Sequence, residues 1–297
     1  MEQLVTVIIP SYNRAHLLKR TLPTYLQENV KEIILVDDCS TDNTEEVVGR
    51  LQKTIPQLKY IRQPRNMKQP AANNRGLAEV TTPWVYFGDD DSLLLEGSIK
   101  RLLDTCAEYS VDACGAAAYY MVSGEENMDL KEYVSRHTRY ASDIKELVDL
   151  ELFRTNFSYS VNTPLIVPFS HACIVIRSEI AKRVGFDVKY KGNAYREETD
   201  FITRCNKSGA TIMFDSRAAQ INLPHSLATG GAQSFSKFIY HYWMIRNTWR
   251  YLNRNYDFLK TKYDLKSTKY KVFFMYIKDQ ARALLNRIFP CFINNPK

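Results

Sequence analysis

Residues 5–48 read VTVIIPSYNRAHLLKRTLPTYLQENVKEIILVDDCSTDNTEEVV and alternate between two kinds of segment. Val5–Ile9 and Glu32–Val36 are apolar and rich in β-branched residues, which predicts two buried strands. Between them, Arg14–Glu28 has leucines and a tyrosine at helical spacing, with Pro23 inside it. A second helix is predicted in the stretch after Val36, where Ser or Asp can cap it and glutamates suit its first turn. Strands that alternate with helices indicate a parallel sheet.

The alternation continues through the first hundred residues. Leu58–Arg62 and Trp84–Phe87 are predicted strands, and Ala71–Ala78 is a predicted helix. Further along, 172–178 reads as a buried strand and Ile144–Phe153 as a helix. The 297 residues are enough for one large domain with an extension. We therefore predict an α/β fold with a mostly parallel sheet flanked by helices, and a helical C-terminal extension.

Polar stretches follow three of the predicted strands. They are PSYNR after the first strand, DDCSTDNT after the second and GDDDS after the fourth. Ligands of such sheets bind beyond the carboxyl ends of the strands, so these stretches predict a binding site. Within it, Asp89, Asp90 and Asp91 are consecutive carboxylates that repel one another. A bound cation would offset this repulsion.

The charge of the chain is unevenly distributed. The net charge is +7, but residues 237–297 alone contain 13 Lys and Arg residues against three Asp residues. No nucleic-acid-binding module accompanies this basic segment, so we expect no nucleic acid partner. The six cysteines form no C-x-x-C pair, the first residues do not resemble a signal peptide, and no apolar run is long enough for a membrane span. We expect a cytoplasmic protein, with the inner face of the cell membrane as a further location.

Other ligand-binding signatures are missing: the loop after the first strand has neither G-x-G-x-x-G nor a GK[ST] phosphate loop. Instead, four stretches resemble the family 2 glycosyltransferases, whose members have the GT-A fold. These stretches are VTVIIPSYNRAHLLKRTL, EIILVDDCSTDNTEEVV, WVYFGDDDSLLLEGSI and REETDFITRCNKSGATIMF. They occur in the family's order over about residues 4–215.

The resemblance implies a binding site for a nucleotide-diphospho-sugar, the sugar donor. Asp38 would accept a hydrogen bond from the base, and Asp89 and Asp91 match the first and last positions of the family's D-x-D motif. In that motif one carboxylate contacts the ribose and the other holds Mn²⁺ or Mg²⁺ on the diphosphate. The implied nucleotide-binding residues are Pro10, Tyr12, Arg14, Asp38, Asn74, Asp89 and Asp90. The implied metal-binding residues are Asp89, Asp91 and His225.

The stretch REETD resembles the family's catalytic segment. Glu198 falls on the position of the base that takes the proton from the acceptor hydroxyl, and Glu197 and Asp200 fall on the flanking acids. The family commonly has aspartate where this chain has glutamate, so the choice between Glu197 and Glu198 stays open here. The chemistry expected is an inverting, metal-dependent transfer from a donor, with UDP as the expected nucleotide.

The resemblance also divides the chain. Residues 1–230 would form the catalytic domain, with a donor half at 1–110 and an acceptor half at 111–230, and 231–297 would form the basic helical extension. Lys269–Phe289 is predicted as an amphipathic helix. It either docks on the catalytic domain or on a second copy of the chain, as in a homo-oligomer, or lies on an anionic membrane.

The expected acceptor is a carbohydrate or lipid-linked glycan of the bacterial surface. Two alternatives remain at this point. One is a sugar-1-phosphate nucleotidyltransferase, although PSYNRAHL lacks the glycine-rich signature of that class. The other is a nucleotide-sugar-binding scaffold without catalysis.

Overall fold

The computed structural model describes residues 4–229 and 237–288, so the predicted boundary at 230/231 and Phe289 lie outside the described residues. One sheet in the described part runs in the strand order β11-β13-β6-β12-β4-β1-β2-β3, and β5 pairs with β13. Its strands are β1 (Val5–Ser11), β2 (Val30–Asp37), β3 (Leu58–Arg62), β4 (Trp84–Phe87), β5 (Ser92–Leu94), β6 (Ala113–Tyr120), β11 (Leu165–Ile166), β12 (Ile174–Arg177) and β13 (Ile212–Asn222). Four short strands lie outside it: β7 (Arg139–Tyr140), β8 (Val148–Asp149), β9 (Arg154–Thr155) and β10 (Tyr159–Ser160).

Helices cover the sheet. They are α1 (Ala15–Thr21), α2 (Thr44–Leu51), α3 (Gln69–Glu79), α4 (Ser98–Glu108), α5 (Leu130–His137), α6 (Ile144–Leu147), α7 (Ser178–Val184), α8 (Glu197–Lys207), α9 (Lys237–Tyr263) and α10 (Lys269–Ile288). A 3-10 helix, Leu22–Tyr25, follows α1 and has Pro23 in its first turn, because proline cannot continue an α-helix there.

The sheet is mostly parallel, as predicted. β1 pairs in parallel with β2 and β4, β2 with β3, and β6 with β13. β12 runs antiparallel to both β4 and β6, and it joins the first four strands to the remainder of the sheet. The sheet is therefore continuous across residue 110, and the division there into a donor half and an acceptor half of one domain stays a prediction.

Both faces of the sheet are buried. Along β1, Val7 and Ile9 point into one hydrophobic core and Ile8 into the other, and the same alternation occurs in β2. This two-sided burial explains why these strands read as continuous apolar runs. The α3 helix approaches β1 closely at Gly76, where a Cβ would lie 2.6 Å from the Ile8 side chain.

The predicted helix at Ile144–Phe153 is wrong beyond its first turn. The α6 helix ends at Leu147, and Val148–Asp149 forms β8 instead. The Asp149 carboxylate accepts a hydrogen bond from the Leu152 backbone at 2.9 Å, so it stabilises a turn where the helix would have continued.

The two C-terminal helices pack on the rest of the protein. The α9 helix lies against α8, where the hydroxyls of Thr203 and Tyr251 are 2.9 Å apart. The α10 helix packs on α9 and buries Val272 and Tyr276. The inward face of α10 is therefore docked on α9 of the same chain. Tyr270 and Phe274 lie on its outward face and are each 66% exposed. No helix among the described residues has the length and hydropathy to span a bilayer.

Candidate active site

The carboxyl ends of the central strands bring the predicted polar loops together. Ser11 at the end of β1 is in register with Asp37 at the end of β2. On the other side of β1, the backbone of Gly88 donates a hydrogen bond to the Ile8 carbonyl at 2.9 Å. The loop after β4, with its three aspartates, therefore starts beside the loop after β1.

The second and third aspartates are held by the loop after β1. The Ser11 hydroxyl donates to Asp90 at 2.7 Å, and the buried guanidinium of Arg14 donates to Asp90 at 3.2 Å and also to Asp91. Burial raises the pKa of Asp90 to about 6, although Arg14 acts in the opposite direction. Arg14, which the resemblance implied as a nucleotide-binding residue, thus contacts the acids within the protein.

Asp89 points toward a different group of residues. Its carboxylate accepts a hydrogen bond from the Gln220 amide at 3.0 Å, and its backbone carbonyl accepts one from the Tyr25 hydroxyl at 2.9 Å. Burial and the neighbouring carboxylates, Glu198 first among them, hold the pKa of Asp89 well above its usual value. Asp89 and Glu198 are therefore close enough to repel each other.

Glu198 lines a small pocket together with Asp89. It lies in the first turn of α8, and its carboxylate accepts a hydrogen bond from the Gln69 side chain at 3.0 Å. Phe186 and Phe201, stacked with ring centroids 4.0 Å apart, form an apolar wall of the same pocket. Burial, and then the charge of Asp91, raises the pKa of Glu198 to about 7, close to the value that suits a general base.

Glu197 is the preceding residue and has a different environment. It is 3% exposed, and neither carboxylate oxygen has a hydrogen-bond partner within the described part of the chain. Burial, followed by the charges of Glu198 and Asp89, holds its pKa well above the usual range. The pocket is lined by Glu198 and not by Glu197.

Asp200, the third predicted acid, faces the C-terminal helices and not the pocket. Its fully buried carboxylate accepts hydrogen bonds from Arg204 at 2.6 Å and from Asn255 of α9 at 2.8 Å. The cause is helical periodicity, since residues 198 and 200 project from different sides of α8. The structure thus gives Asp200 a role in attaching α9, in contrast to the predicted catalytic role.

Asp38 and Asn74, both predicted to bind the nucleotide, are engaged within the protein. The Asp38 carboxylate accepts hydrogen bonds from Gln63 and from the backbones of Met67 and Lys68 at 2.7–2.8 Å. Burial raises its pKa despite these bonds. One oxygen of Asp38 therefore has a single donor and can accept another.

Asn74 is not brought to the pocket. Its amide donates to the Phe186 carbonyl at 2.9 Å and accepts from the Phe186 backbone N–H at 2.8 Å. Both polar atoms of the amide are used, and the pocket is lined by Asn73 in its place. The predicted nucleotide contact of Asn74 is thus replaced by a contact that fixes the segment after α7.

The remaining predicted residues lie around the same edge. Pro10 is half-buried near the end of β1, and the half-buried Tyr12 donates its backbone N–H to Asp90. His225 is exposed in the turn after β13. That turn starts near the acids, because the backbone of Leu223 donates to the Asp91 carbonyl at 2.8 Å.

The carboxylates fit a divalent cation only in part. Within residues 4–229 and 237–288, no three His, Cys, Asp or Glu side chains are arranged to bind a metal ion by themselves. Asp89 and Asp91 supply hard oxygen ligands, as Mg²⁺ and Mn²⁺ require, and such ions commonly take their remaining ligands from substrate phosphates and water. The donor set therefore suits a metal that arrives with a diphosphate.

Four loops that enter this region contain a non-glycine residue with positive φ. The residues are Asn13 after β1, Cys39 after β2, Lys68 before α3 and Arg196 before α8, with φ between 54° and 73°. This backbone conformation is costly for residues with a side chain and persists where the surroundings enforce it. Backbone strain at these four positions is consistent with a functional site.

Three residues of the site were not predicted from the sequence. Gln69 contacts Glu198, Gln220 contacts Asp89, and Ser11 contacts Asp90. Ser11 belongs to the quoted PSYNR stretch and was within reach. Gln220 is a polar residue among the apolar residues of β13, which is a weak indication of a function. Nothing in the sequence distinguishes Gln69 from polar residues that lie on the surface.

The glycosyl transferase family 2 model matches residues 6–185, which end before Glu197 and Glu198. This match covers more than half of the chain, and the fold has the mostly parallel sheet and flanking helices of GT-A structures. The protein therefore belongs to glycosyl transferase family 2, a family of transferase enzymes.

Among curated proteins, one similar relative is a GalNAc(5)-diNAcBac-PP-undecaprenol beta-1,3-glucosyltransferase of Campylobacter jejuni, 31% identical over 48% of this chain and 46% of the relative. Another is the poly(ribitol-phosphate) beta-N-acetylglucosaminyltransferase TarP of Staphylococcus aureus, 30% identical over 36% of this chain and 34% of the relative. The chain thus spans less than half the length of either relative.

Two solved structures have a similar fold. Residues 1–349 of S. aureus TarS in complex with UDP-GlcNAc match with a TM-score of 0.58 and 18% identity, over 84% of this chain and 67% of that chain. The Pyrobaculum calidifontis mannosyltransferase PcManGT, in complex with GDP-Man and Mn²⁺, matches with a TM-score of 0.57 and 20% identity, over 93% of this chain and 69% of that chain.

Proposed function

We propose that this protein is an inverting, metal-dependent glycosyltransferase of bacterial surface polysaccharide or glycoconjugate synthesis. It moves a sugar from a nucleotide-diphospho-sugar, with UDP as the nucleotide, to a hydroxyl group of a carbohydrate or lipid-linked acceptor. The observation that carries this proposal is the convergence of Asp89, Asp91 and Glu198, which come from a strand end and a helix start that are distant in sequence.

Glu198 acts as the general base in this proposal. Its carboxylate lines the pocket, and its pKa of about 7 allows it to accept a proton from the acceptor hydroxyl near neutral pH. The hydrogen bond from Gln69 fixes its orientation. General base catalysis of this kind contributes roughly 100- to 10,000-fold in rate. Glu197 lacks such a partner and is assigned no proton transfer.

The donor site lies over the ends of β1, β2 and β4. The free lone pair of Asp38 suits a hydrogen bond from the nucleotide base. Asp89 and Asp91 would hold Mg²⁺ or Mn²⁺ on the diphosphate. When bound, that ion would stabilise the negative charge of the departing nucleotide diphosphate. The relatives support a sugar nucleotide and a divalent ion, since one similar fold was solved with UDP-GlcNAc and another with GDP-Man and Mn²⁺.

The test is a screen of nucleotide-sugars for release of nucleotide diphosphate, with Mn²⁺, Mg²⁺ or excess EDTA. We expect metal-dependent release for one donor, a loss of at least about 100-fold in Asp91→Asn, and normal release in the matched Asp104→Asn, which changes an exposed carboxylate of α4. NMR of the transferred product should show an inverted anomeric configuration. In a parallel assay with a nucleoside triphosphate and a sugar 1-phosphate, release of pyrophosphate would indicate a nucleotidyltransferase. No release in either assay would indicate a binding protein.

The acceptor and the location of the enzyme form a second part of the proposal. Tyr270 and Phe274 are each 66% exposed on α10, near the exposed Lys271 and Lys278, and Phe238 on α9 is 81% exposed. Exposed aromatic residues beside cations favour contact with an anionic membrane surface. We propose a peripheral position at the inner face of the cell membrane, where a lipid-linked acceptor is available.

Sedimentation with anionic vesicles tests this contact. We expect wild-type protein to sediment at low salt and the double variant Phe238→Ser/Phe274→Ser to remain in the supernatant, because insertion of the rings is lost. Leu26→Ser, which changes an exposed apolar residue near the N-terminal strands, serves as the control. If the wild-type protein does not sediment with anionic vesicles at low salt, the proposed membrane contact is wrong.

A further inference from the structure

A second concave surface, separate from the acid pocket, lies between residues 187–191 and α9. It is an open groove with a volume of about 760 Å³, within the range of ligand sites. Cationic and aromatic side chains dominate its lining: Lys189, Lys191, Trp243, Arg246, Trp249 and Arg250. We call this surface the basic groove.

The walls of the basic groove are fixed by contacts between them. Trp243 packs directly on Gly192, where a Cβ would lie 2.2 Å from the indole ring. The Asn247 side chain donates to the Lys191 carbonyl at 2.9 Å, and Asn193 donates to the Tyr240 carbonyl at 3.3 Å. Because the loop and the helix are joined at several points, the groove is a preformed feature.

The basic groove has an excess of positive charge. Its single carboxylate, Asp187, is shared by Arg250 at 2.5 Å and Arg254 at 2.6 Å, so one negative charge faces two positive ones. In the described part of the chain, Lys189, Lys191 and Arg246 make no ion pair with a carboxylate. Guanidinium and ammonium groups in a concave surface are the usual partners of phosphate oxygens.

The basic groove lies on the side of α8 that faces α9. Arg254, one of its lining residues, pairs with Asp187 and is also 3.7 Å from Asp200, the acid that faces the C-terminal helices. Glu198, in contrast, lines the acid pocket. A ligand of the groove therefore occupies a site separate from the one that holds the proposed base.

We propose that the basic groove binds the phosphate groups of a phosphate-bearing glycan, at a second site apart from the acid pocket. Phosphate binding by the groove does not rest on the proposed glycosyltransferase function. A bilayer surface fits less well, because a flat membrane cannot enter a concavity, and the outward aromatic residues lie outside the lining of the groove. The indole rings of Trp243 and Trp249 offer apolar faces beside the cations, as suits a ligand with both sugar and phosphate.

Binding of sodium tripolyphosphate tests the basic groove. Two of the three tryptophans of the chain line it, so intrinsic fluorescence is a suitable readout. The titration is done in EDTA, which removes the metal that a diphosphate in the donor site would need. We expect saturable, salt-sensitive binding by the wild type and at least tenfold weaker binding by Lys189→Glu/Lys191→Glu.

The matched control is Lys53→Glu/Lys145→Glu, which makes the same change in net charge at two exposed lysines elsewhere. It should bind tripolyphosphate as the wild type does. Equal losses in both double variants would overturn the proposal, because binding would then reflect net charge alone. Binding to phosphatidylglycerol vesicles without binding to tripolyphosphate would also overturn it and would indicate a membrane surface. Failure of the wild type to release nucleotide from any donor would refute the enzyme function, while the titration would still decide phosphate binding.

Discussion

Arg14 donates hydrogen bonds to the carboxylates of both Asp90 and Asp91, from a position 76 and 77 residues earlier in the chain. The three consecutive aspartates thus have an internal counter-charge before any metal or nucleotide binds. Arg14 is 6% exposed, and removal of one partner of a buried ion pair leaves the charge of the other partner uncompensated. A divalent ion held by Asp89 and Asp91, as proposed, would therefore share Asp91 with Arg14.

Replacement of Arg14 should make the protein depend on metal for stability. In Arg14→Gln the acids lose their counter-charge, so we expect a lower melting temperature in EDTA than the wild type has. Mn²⁺ should raise the melting temperature more in the variant, because the ion supplies the missing charge. Differential scanning fluorimetry with and without Mn²⁺ measures both effects.

The control for this prediction is Arg50→Gln, which changes an exposed arginine that pairs with Glu46. Exposed ion pairs of this kind contribute about 0–1 kcal/mol, so its melting temperature should hardly change. An equal response to Mn²⁺ in Arg14→Gln and the wild type would contradict the idea that Arg14 and the metal act on the same carboxylate, Asp91.

Glu198→Gln should abolish proton transfer and leave donor binding intact. Glutamine keeps the shape and the contact with Gln69 but cannot accept the proton, so we expect transfer to fall by roughly 100- to 10,000-fold. Single-turnover transfer and donor affinity are measured separately. Glu197→Gln is the matched variant and should retain transfer within about tenfold; the reverse pattern would assign the base to Glu197.

Glu197→Gln should also stabilise the protein at neutral pH. The pKa of this buried carboxyl is raised by folding, so the unfolded chain releases the proton at lower pH than the folded protein does. The free energy of unfolding therefore falls as pH rises from about 4.3, the ordinary value for glutamate, toward the folded pKa. Glutamine removes this penalty. In urea unfolding, the difference in free energy of unfolding between Glu197→Gln and the wild type should therefore grow between pH 5 and 8. A constant difference across that range would contradict an ionisation effect.

The rate of transfer should fall in acid through the titration of Glu198. The base works only when it is deprotonated, so kcat/KM of the free enzyme should decline as pH falls through about 7. Gln69→Leu removes the hydrogen bond that lowers this pKa, and the decline should move to higher pH. Gln52→Leu, at a remote exposed glutamine of the chain, should leave the profile unchanged. An unshifted profile in Gln69→Leu would argue against Glu198 as the titrating group.

Asp200→Asn should affect stability and not chemistry. The change weakens charge-assisted hydrogen bonds with Arg204 and Asn255, at a cost of roughly 1.5–3 kcal/mol in the free energy of unfolding. We expect a lower unfolding midpoint in urea and a kcat close to the wild-type value at a temperature where the variant is folded. A loss of kcat as large as that of Glu198→Gln would restore Asp200 to the catalytic group.

Several elements were predictable from local pattern alone. The strands Leu58–Arg62 and Trp84–Phe87 end where the sequence predicted, because each apolar run is bounded by polar or turn residues. The end of the helix that begins at Ile144 was not predictable in this way, because the Asp149 carboxylate stabilises a turn by a side-chain contact with the Leu152 backbone. The helix predicted from Lys269 onward is present as α10. Its aromatic residues, however, do not form one buried face, because some pack on α9 and others lie on the surface.

The sequence by itself determined the fold class, the family and the edge of the sheet at which the site lies. These depend on hydrophobic periodicity and on loops that follow strands, which are properties of neighbouring residues. Only the tertiary structure decided which predicted residues share the pocket. It joined Arg14 to Asp91 and Gln69 to Glu198, and it turned Asn74 and Asp200 toward other parts of the fold. The physical reason is that these contacts join segments that are distant in sequence or depend on which side of a helix a residue occupies. No local pattern encodes the register between such segments.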